Sequence, residues 1–242
     1  MRWPLRFRKW CFHCFRSGGR WETGGLFRFH FKHSRRMIGF SNRNMARKQT
    51  DYYQLKVVLL DVKPQVWRRV HVAPNIYLDE LHLVLQAALG WTNSHLHSFK
   101  FGETEYSLSY EPGDLTELNM IDERGIELSS LIREPGETFG YSYDFGDDWQ
   151  HIVTFEHRGD VEPRVKYPRC IDGQRACPPE DCGGTHGYSK LLRILKKPTH
   201  KEYQSWMEWI GYPYDPEHVD FSNFQKNLRK LREGALMDAL GL

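Results

Sequence analysis

Two short stretches hold the side chains that could do chemistry. "YDFGDDWQHIV", residues 143–153, places Asp144, Asp147, Asp148 and His151 within a strand-like run. "CIDGQRACPPEDCGG", residues 170–184, supplies Cys170, Cys177 and Cys182, the carboxylates Glu180 and Asp181, and two closing glycines. Three soft ligands on a proline-stiffened, glycine-kinked loop suit tetrahedral zinc, whose bond to thiolate is about 2.3 Å. A fourth ligand would complete a Cys3His site. His151 would staple the loop to the neighbouring strand, while His186 and His157 are the alternatives. The gaps x6 and x4 differ from paired C-x2-C spacing, so small buried thiols under a loop are the competing expectation.

The carboxylates allow a second chemistry. Asp144, Asp148, His151, Glu180 and Asp181, brought into one cleft, could hold a hard cation that activates water for hydrolysis of a phosphodiester or similar bond. The competing expectation is again structural. Aspartates at tight turns accept backbone N–H bonds two residues on and tolerate left-handed backbone. Glu180 or Asp181 could equally cap a helix that starts near Tyr188, and the glycines before it could present N–H groups to an anion. "DFG" also occurs in the kinase metal-binding signature, but no glycine-rich loop, strand lysine or "HRD" accompanies it.

These residues need elements to position them. Phe139, Tyr141, Tyr143 and Phe145 alternate onto one strand face, and Trp149, His151, Val153 and Phe155 onto another. A turn at Gly146-Asp147 predicts a hairpin that joins the two faces. Upstream, "YYQLKVVLLDV" (52–62) and "VWRRVHV" (66–72) read as strands broken at Lys-Pro-Gln. "YLDELHLVLQAALGW" gathers Leu78, Leu81, Val84, Leu85, Ala88 and Leu89 on one helical face, with Asp79 and Glu80 in the first turn and Gly90 as the stop. "HLHSFKF" and "YSLSY" return to strand texture. "EPGDLTELNMIDERG" reads as an acidic loop, and "IELSSLIREPGE" holds a helical turn. Helices are predicted over Tyr188–Lys196, His200–Gly211 and Phe221–Glu233. The order predicts an α+β fold: a mainly antiparallel sheet, one helix between N-terminal strands, and a C-terminal helical section.

The chain has 242 residues and a net charge of +3, but the charge is split. Residues 1–50 carry thirteen Lys/Arg and one acid, a net +12, and the remainder carries 21 bases and 30 acids, a net −9. An acidic body is a poor duplex-binding surface. Any nucleic-acid partner is therefore expected on the basic arm, residues 1–48. That arm also holds Cys11, Cys14, His30 and His33, whose C-x2-C-x15-H-x2-H spacing departs from the usual zinc-finger gaps. It reads alternatively as a disordered extension, or as sequence upstream of a natural start at Met45. Residues 49–242 read as a single domain. The longest apolar runs are too short to cross a bilayer, and no signal peptide is evident. Five cysteines without an export signal point to a reducing cytoplasm.

"YSYDFGDDWQHIV" and "CIDGQRACPPEDCGGTHGY", with "YQLKVVLLDVKPQVWRRVHV" and "YDPEHVDFSNFQKNL", resemble the plasmid pRi ORF-three-like family. The resemblance runs from about Tyr53 to Leu231. Its members are described as resolvase-like passengers of insertion elements. A serine recombinase needs a nucleophilic serine with a basic DNA-binding module, and the body is acidic. The resemblance implies a fold and a site without a reaction. The resemblance also implies that cysteine at these positions is not a universal feature of such proteins. Two functions are therefore expected. One is a non-enzymatic module with a protein partner, associated with plasmids or mobile elements and carrying a zinc knuckle. The other is the metal-dependent hydrolase or nuclease.

Overall fold

A computed structural model describes residues 50–108 and 114–240. The expectations for the basic arm, including Cys11, Cys14, His30, His33 and nucleic-acid binding, lie outside the described residues.

Strands β1 (Asp51–Leu59) and β2 (Trp67–Val72) form an antiparallel hairpin, with Leu55 opposite Val70 and Val57 opposite Arg68. In β1 the odd positions Tyr53, Leu55, Val57 and Leu59 are buried and the even ones half-buried. One face of this strand therefore meets the core, as its period of two dictates. Helix α1 (Leu78–Leu89) follows, and ten of its twelve residues are buried. A helix buried on nearly all sides is interior, and α1 packs against β2 on one side and a C-terminal helix on the other. Gly90, at φ 85°, ends it by donating its N–H to the Gln86 carbonyl, the left-handed stop that glycine takes without strain.

Next come β3 (His97–Phe101), β4 (Thr104–Ser107), α2 (Asp114–Glu117), β5 (Ile121–Asp122), α3 (Leu128–Leu131), β6 (Thr138–Tyr143), β7 (Trp149–Asp160) and β8 (Arg169–Gln174). The chain closes with α4 (Gly184–Leu195), α5 (Tyr203–Ile210) and α6 (Phe224–Leu240). All eight strands form one sheet in the order β5-β4-β3-β6-β7-β1-β2-β8, antiparallel throughout except for the β4–β5 pair. This is the expected α+β fold. Strand β7 sits at its centre and pairs with both β6 and β1.

Three local expectations change. Residues 169–174 read as part of a cysteine-rich loop but form β8, because β2 offers them a free edge to pair with. The acidic stretch before Gly125 contains α2 and β5 as well as loop. Helix α4 starts four residues before Tyr188, at Gly184. Among the described residues no helix is long and apolar enough to cross a membrane.

Candidate functional site

The β6–β7 hairpin places its two aromatic faces together. Tyr141 pairs with His151, Tyr143 with Trp149, and Phe139 with Val153, all six essentially buried. Trp91, from the α1–β3 connection, stacks on Tyr143 at 5.0 Å between ring centroids and donates its indole N–H to the Pro178 carbonyl at 2.9 Å. Trp91 thereby ties the hairpin to the proline loop. His151 Nδ1 lies 3.1 Å from the Tyr141 carbonyl oxygen, and burial lowers its pKa to about 4, so the ring is neutral. Its Nε2 and the Trp149 indole N–H are both buried without a hydrogen-bond partner.

The turn spans Asp144–Asp148 instead of the two residues Gly146-Asp147. Asp144 and Asp148 both take left-handed backbone at φ 55°. The Asp144 carboxylate accepts from the Gly146 amide at 2.9 Å and the Asp147 amide at 3.3 Å, all through Oδ1. Asp147 reaches across to the N-terminus of α4, where its Oδ2 accepts from the Gly183 amide at 3.1 Å. Thus Asp147 satisfies the helix end that Glu180 or Asp181 was expected to cap. Its carboxylate occupies the place where an incoming anion would sit. The approach is close: a Cβ on Gly184, itself at φ 64°, would lie 2.5 Å from the Asp147 carbonyl oxygen. Burial raises the Asp147 pKa, and the charges of Asp144 and Asp181 add to the rise. Asp148 accepts from the Gln150 side chain at the exposed tip.

The proline loop divides its two carboxylates between different tasks. Glu180 accepts from the Thr92 amide at 3.0 Å, the Thr92 hydroxyl at 2.6 Å and the Tyr143 hydroxyl at 2.6 Å. Burial, and that bond to Glu180, hold the Tyr143 phenol well above its ordinary pKa. Asp181, exposed and at φ 58°, turns toward His95 and Asp144. Among the described residues, His95, Asp144 and Asp181 are the one group of three or more His, Cys, Asp or Glu whose ligand atoms all fall within 4.8 Å of one another. Of the five residues expected in a hydrolytic cluster, Asp144 and Asp181 meet. Asp148, His151 and Glu180 do not join them.

The cysteine knuckle is not assembled either. Cys177 Sγ accepts from the Arg68 guanidinium at 3.1 Å, and Arg68 also donates to the Ala88 carbonyl. Cys170 Sγ turns toward the Asp172 carbonyl at 3.8 Å on its own strand, and Cys182 is buried beside Asp147. Burial pushes the Cys170 thiol to about 11 and the Cys182 thiol to about 12, and raises that of Cys177. All three are free thiols. They do not gather with His151 around one point, and His157 and His186 are exposed. Cys170 and Cys177 lie near each other, but both face the Arg68 guanidinium, a positive charge where a cation would have to sit, while Cys182 lies apart beside Asp147.

Beneath the site lies a polar network that the sequence reading did not find. Glu123, fully buried, sits 2.9 and 3.0 Å from His97 Nε2 through its two carboxyl oxygens. The His97 ring stacks on His82 at 3.5 Å, within 6° of parallel. His82 Nδ1 contacts the Tyr141 hydroxyl at 2.9 Å, and its Nε2 contacts Asn93 Oδ1 at 2.6 Å. Gln86 Nε2 donates to the same Tyr141 hydroxyl, and its carbonyl accepts from the Asn93 amide. Burial lowers both histidines to about 3 and raises Glu123 to about 7, in each case against the charged form. This network pins the Trp91–Leu96 connection that carries His95.

The fold and site define an α+β protein with one mainly antiparallel sheet, whose hairpin tip, α1–β3 connection and proline loop meet at one end. Residues 51–223 match the model of the plasmid pRiA4b ORF-3-like protein family, and the chain belongs to that family. A curated relative, "Uncharacterized protein y4hQ" of Sinorhizobium fredii (strain NBRC 101917 / NGR234), is 40% identical over 176 residues, covering 72% of this chain and 88% of its own. The crystal structure of a protein of unknown function, MM3350 from Methanosarcina mazei Go1, superposes with a TM-score of 0.64 at 33% identity. That match covers 73% of this chain and 98% of the other.

Proposed function

We propose that the protein is a cytoplasmic, non-enzymatic interaction module, of the kind carried by plasmids or mobile elements, which engages a protein partner at the hairpin–loop end of its sheet. The observation behind this reading is where large apolar side chains stand exposed. Tyr212 is 54% exposed, Leu96 53% and Trp209 49%. Leu96 follows His95, and its carbonyl accepts from the Asp144 amide. Tyr212 is close enough to Glu180 and Cys182 for their charges to act on its hydroxyl. Trp209 crosses Trp206 edge-to-face within α5, the helix that leads into Tyr212. Tyrosine and tryptophan bury large areas at little entropic cost and dominate binding energy at interfaces. The hydrolytic reading has less support, since Glu180, a candidate base beside the Asp144–Asp181 pair, is already engaged by the Thr92 amide and hydroxyl and by the Tyr143 hydroxyl.

The test compares the parent with a Leu96→Ser/Tyr212→Ser variant, matched for fold by circular dichroism, as baits in extract of the source cell. A protein retained by the parent and lost from the variant supports the reading. Metal-dependent turnover of phosphodiester, ester or peptide substrates that vanishes in Asp144→Asn overturns it.

A further inference from the structure

His95 comes from the α1–β3 connection, Asp144 from the start of the hairpin turn, and Asp181 from the proline loop. His95 Nε2 lies 3.2 Å from Asp181 Oδ1 and 3.7 Å from Asp144 Oδ2. Yet this nitrogen, itself shielded from solvent, has no partner of hydrogen-bond geometry. The separations have another explanation. Around one dication with bonds of about 2.0–2.2 Å, neighbouring ligands stand roughly 3.0–3.6 Å apart, so the His95–Asp181 separation already matches and Asp144 needs only a small side-chain rotation to close on the ion.

Two further facts favour a cation. The nine-tenths-buried Asp144 carboxylate is already aimed, because the Gly146 and Asp147 amides hold Oδ1 and leave Oδ2 toward His95. Backbone bonds of this kind orient a metal-ligating carboxylate and fix its direction. The surroundings are also negative without compensation. Asp144, Asp147, Glu180 and Asp181 crowd the junction, and among the described residues no lysine or arginine forms an ion pair with any of them. A buried carboxylate without a counter-charge is costly.

We propose that His95, Asp144 and Asp181 are the protein ligands of a first-row transition dication, zinc or manganese, which ties the α1–β3 connection, the hairpin turn and the proline loop together. One imidazole with two carboxylates suits these ions. Calcium asks for six to eight oxygen ligands and magnesium disfavours imidazole. Water fills the remaining positions on the solvent side, where Asp181 is 67% exposed. The site uses none of the three cysteines. It goes beyond the interaction reading, since the cation would shape the docking end whether or not that end contacts a protein.

The experiment uses the full chain, stripped with chelator and titrated separately with zinc, manganese, magnesium and calcium chlorides by calorimetry and thermal denaturation. Zinc or manganese is expected to bind one per chain and raise the melting temperature, with calcium and magnesium inert at the same concentration. Asp181→Asn changes an exposed side chain and preserves the fold. It should weaken binding by more than about tenfold, as should His95→Gln, whereas Cys177→Ser should bind as the parent does. The cobalt(II) complex should lack thiolate-to-metal charge transfer. No binding of any of the four ions, or binding indifferent to Asp181→Asn, overturns the proposal. So does binding lost in Cys177→Ser but kept in Asp181→Asn, which would return the metal to the cysteines. None of these outcomes depends on a protein partner, so this site and the interaction reading can fail separately.

Discussion

Acid should unfold this protein earlier than an ordinary acidic domain, and its interior histidines set the size of the effect. His71, His82, His97 and His151 are 3%, 3%, 5% and 1% exposed, and burial lowers their pKa values to about 4, 3, 3 and 4 from an ordinary 6.5. Above pH 6.5 they are neutral in both the folded and unfolded chain. Below it the unfolded chain takes protons that the folded chain refuses, so stability falls with pH. At about 1.4 kcal/mol per pKa unit, each histidine costs about 2 kcal/mol by pH 5, or about 8 kcal/mol together. Glu123 opposes this. Its carboxyl, raised to about 7 from 4.5, is protonated in the folded protein before the unfolded one. Between pH 7 and 5 that difference returns about 2 kcal/mol. The net loss from pH 8 to pH 5 is therefore about 6 kcal/mol, a large share of the usual stability of a domain. Urea unfolding followed by tryptophan fluorescence across that range reads it directly. Glu123→Gln removes the opposing contribution and should deepen the loss toward about 8 kcal/mol. A midpoint that stays flat from pH 8 to pH 5 would refute the neutral interior, and a Glu123→Gln variant no more acid-sensitive than the parent would refute the role of the carboxyl.

Other outcomes concern the scaffold of the same region. Asp147→Ala should remove the distant cap on α4 and cost about 1–2 kcal/mol in urea unfolding; an unchanged midpoint would mean that water serves the helix end equally well. Gly184→Ala should destabilise by more than about 1 kcal/mol, because its Cβ would press on the Asp147 carbonyl at a positive φ; a neutral result would show that the hairpin tip is free to move. Arg68→Met should cost about 3 kcal/mol, since the buried guanidinium bonds the Ala88, Trp67 and Gln174 carbonyls and the Cys177 sulfur. In that variant the proline loop should also be cut faster by limited proteolysis, and a rate equal to the parent's would show that Arg68 does not hold the loop down.

Elements whose signal is local were legible in the sequence. The leucine spacing of α1, its acidic first turn and Gly90 predict a helix that forms over Leu78–Leu89. Alternation in residues 139–155 predicts two aromatic faces that do coincide. The site depends on pairings between distant segments, and these leave little local trace. His95 sits in the plain stretch "TNSHLHSF" and gains a role only when the fold carries it to Asp144 and Asp181. Asp147 reads as an ordinary turn residue, although its partner is a helix begun by Gly184, far along the chain. Residues 169–174 look like loop by composition, and only the edge offered by β2 makes them a strand. The cysteines drew attention through their chemistry, while burial and Arg68 explain their positions.

The contacts around Tyr141 have a direction. Asn93 Oδ1 can only accept, so His82 must carry its proton on Nε2, which leaves Nδ1 as an acceptor. The Tyr141 hydroxyl proton must then point to Nδ1, and the oxygen it leaves open takes the Gln86 amide. Every dipole from Gln86 through Tyr141 and His82 to Asn93 therefore runs in one sense, each polarising the next. No single member can be reversed alone. A proton arriving at His82 Nδ1 would have to turn the tyrosine hydroxyl away, breaking the sequence of bonds that holds the His95 connection in place.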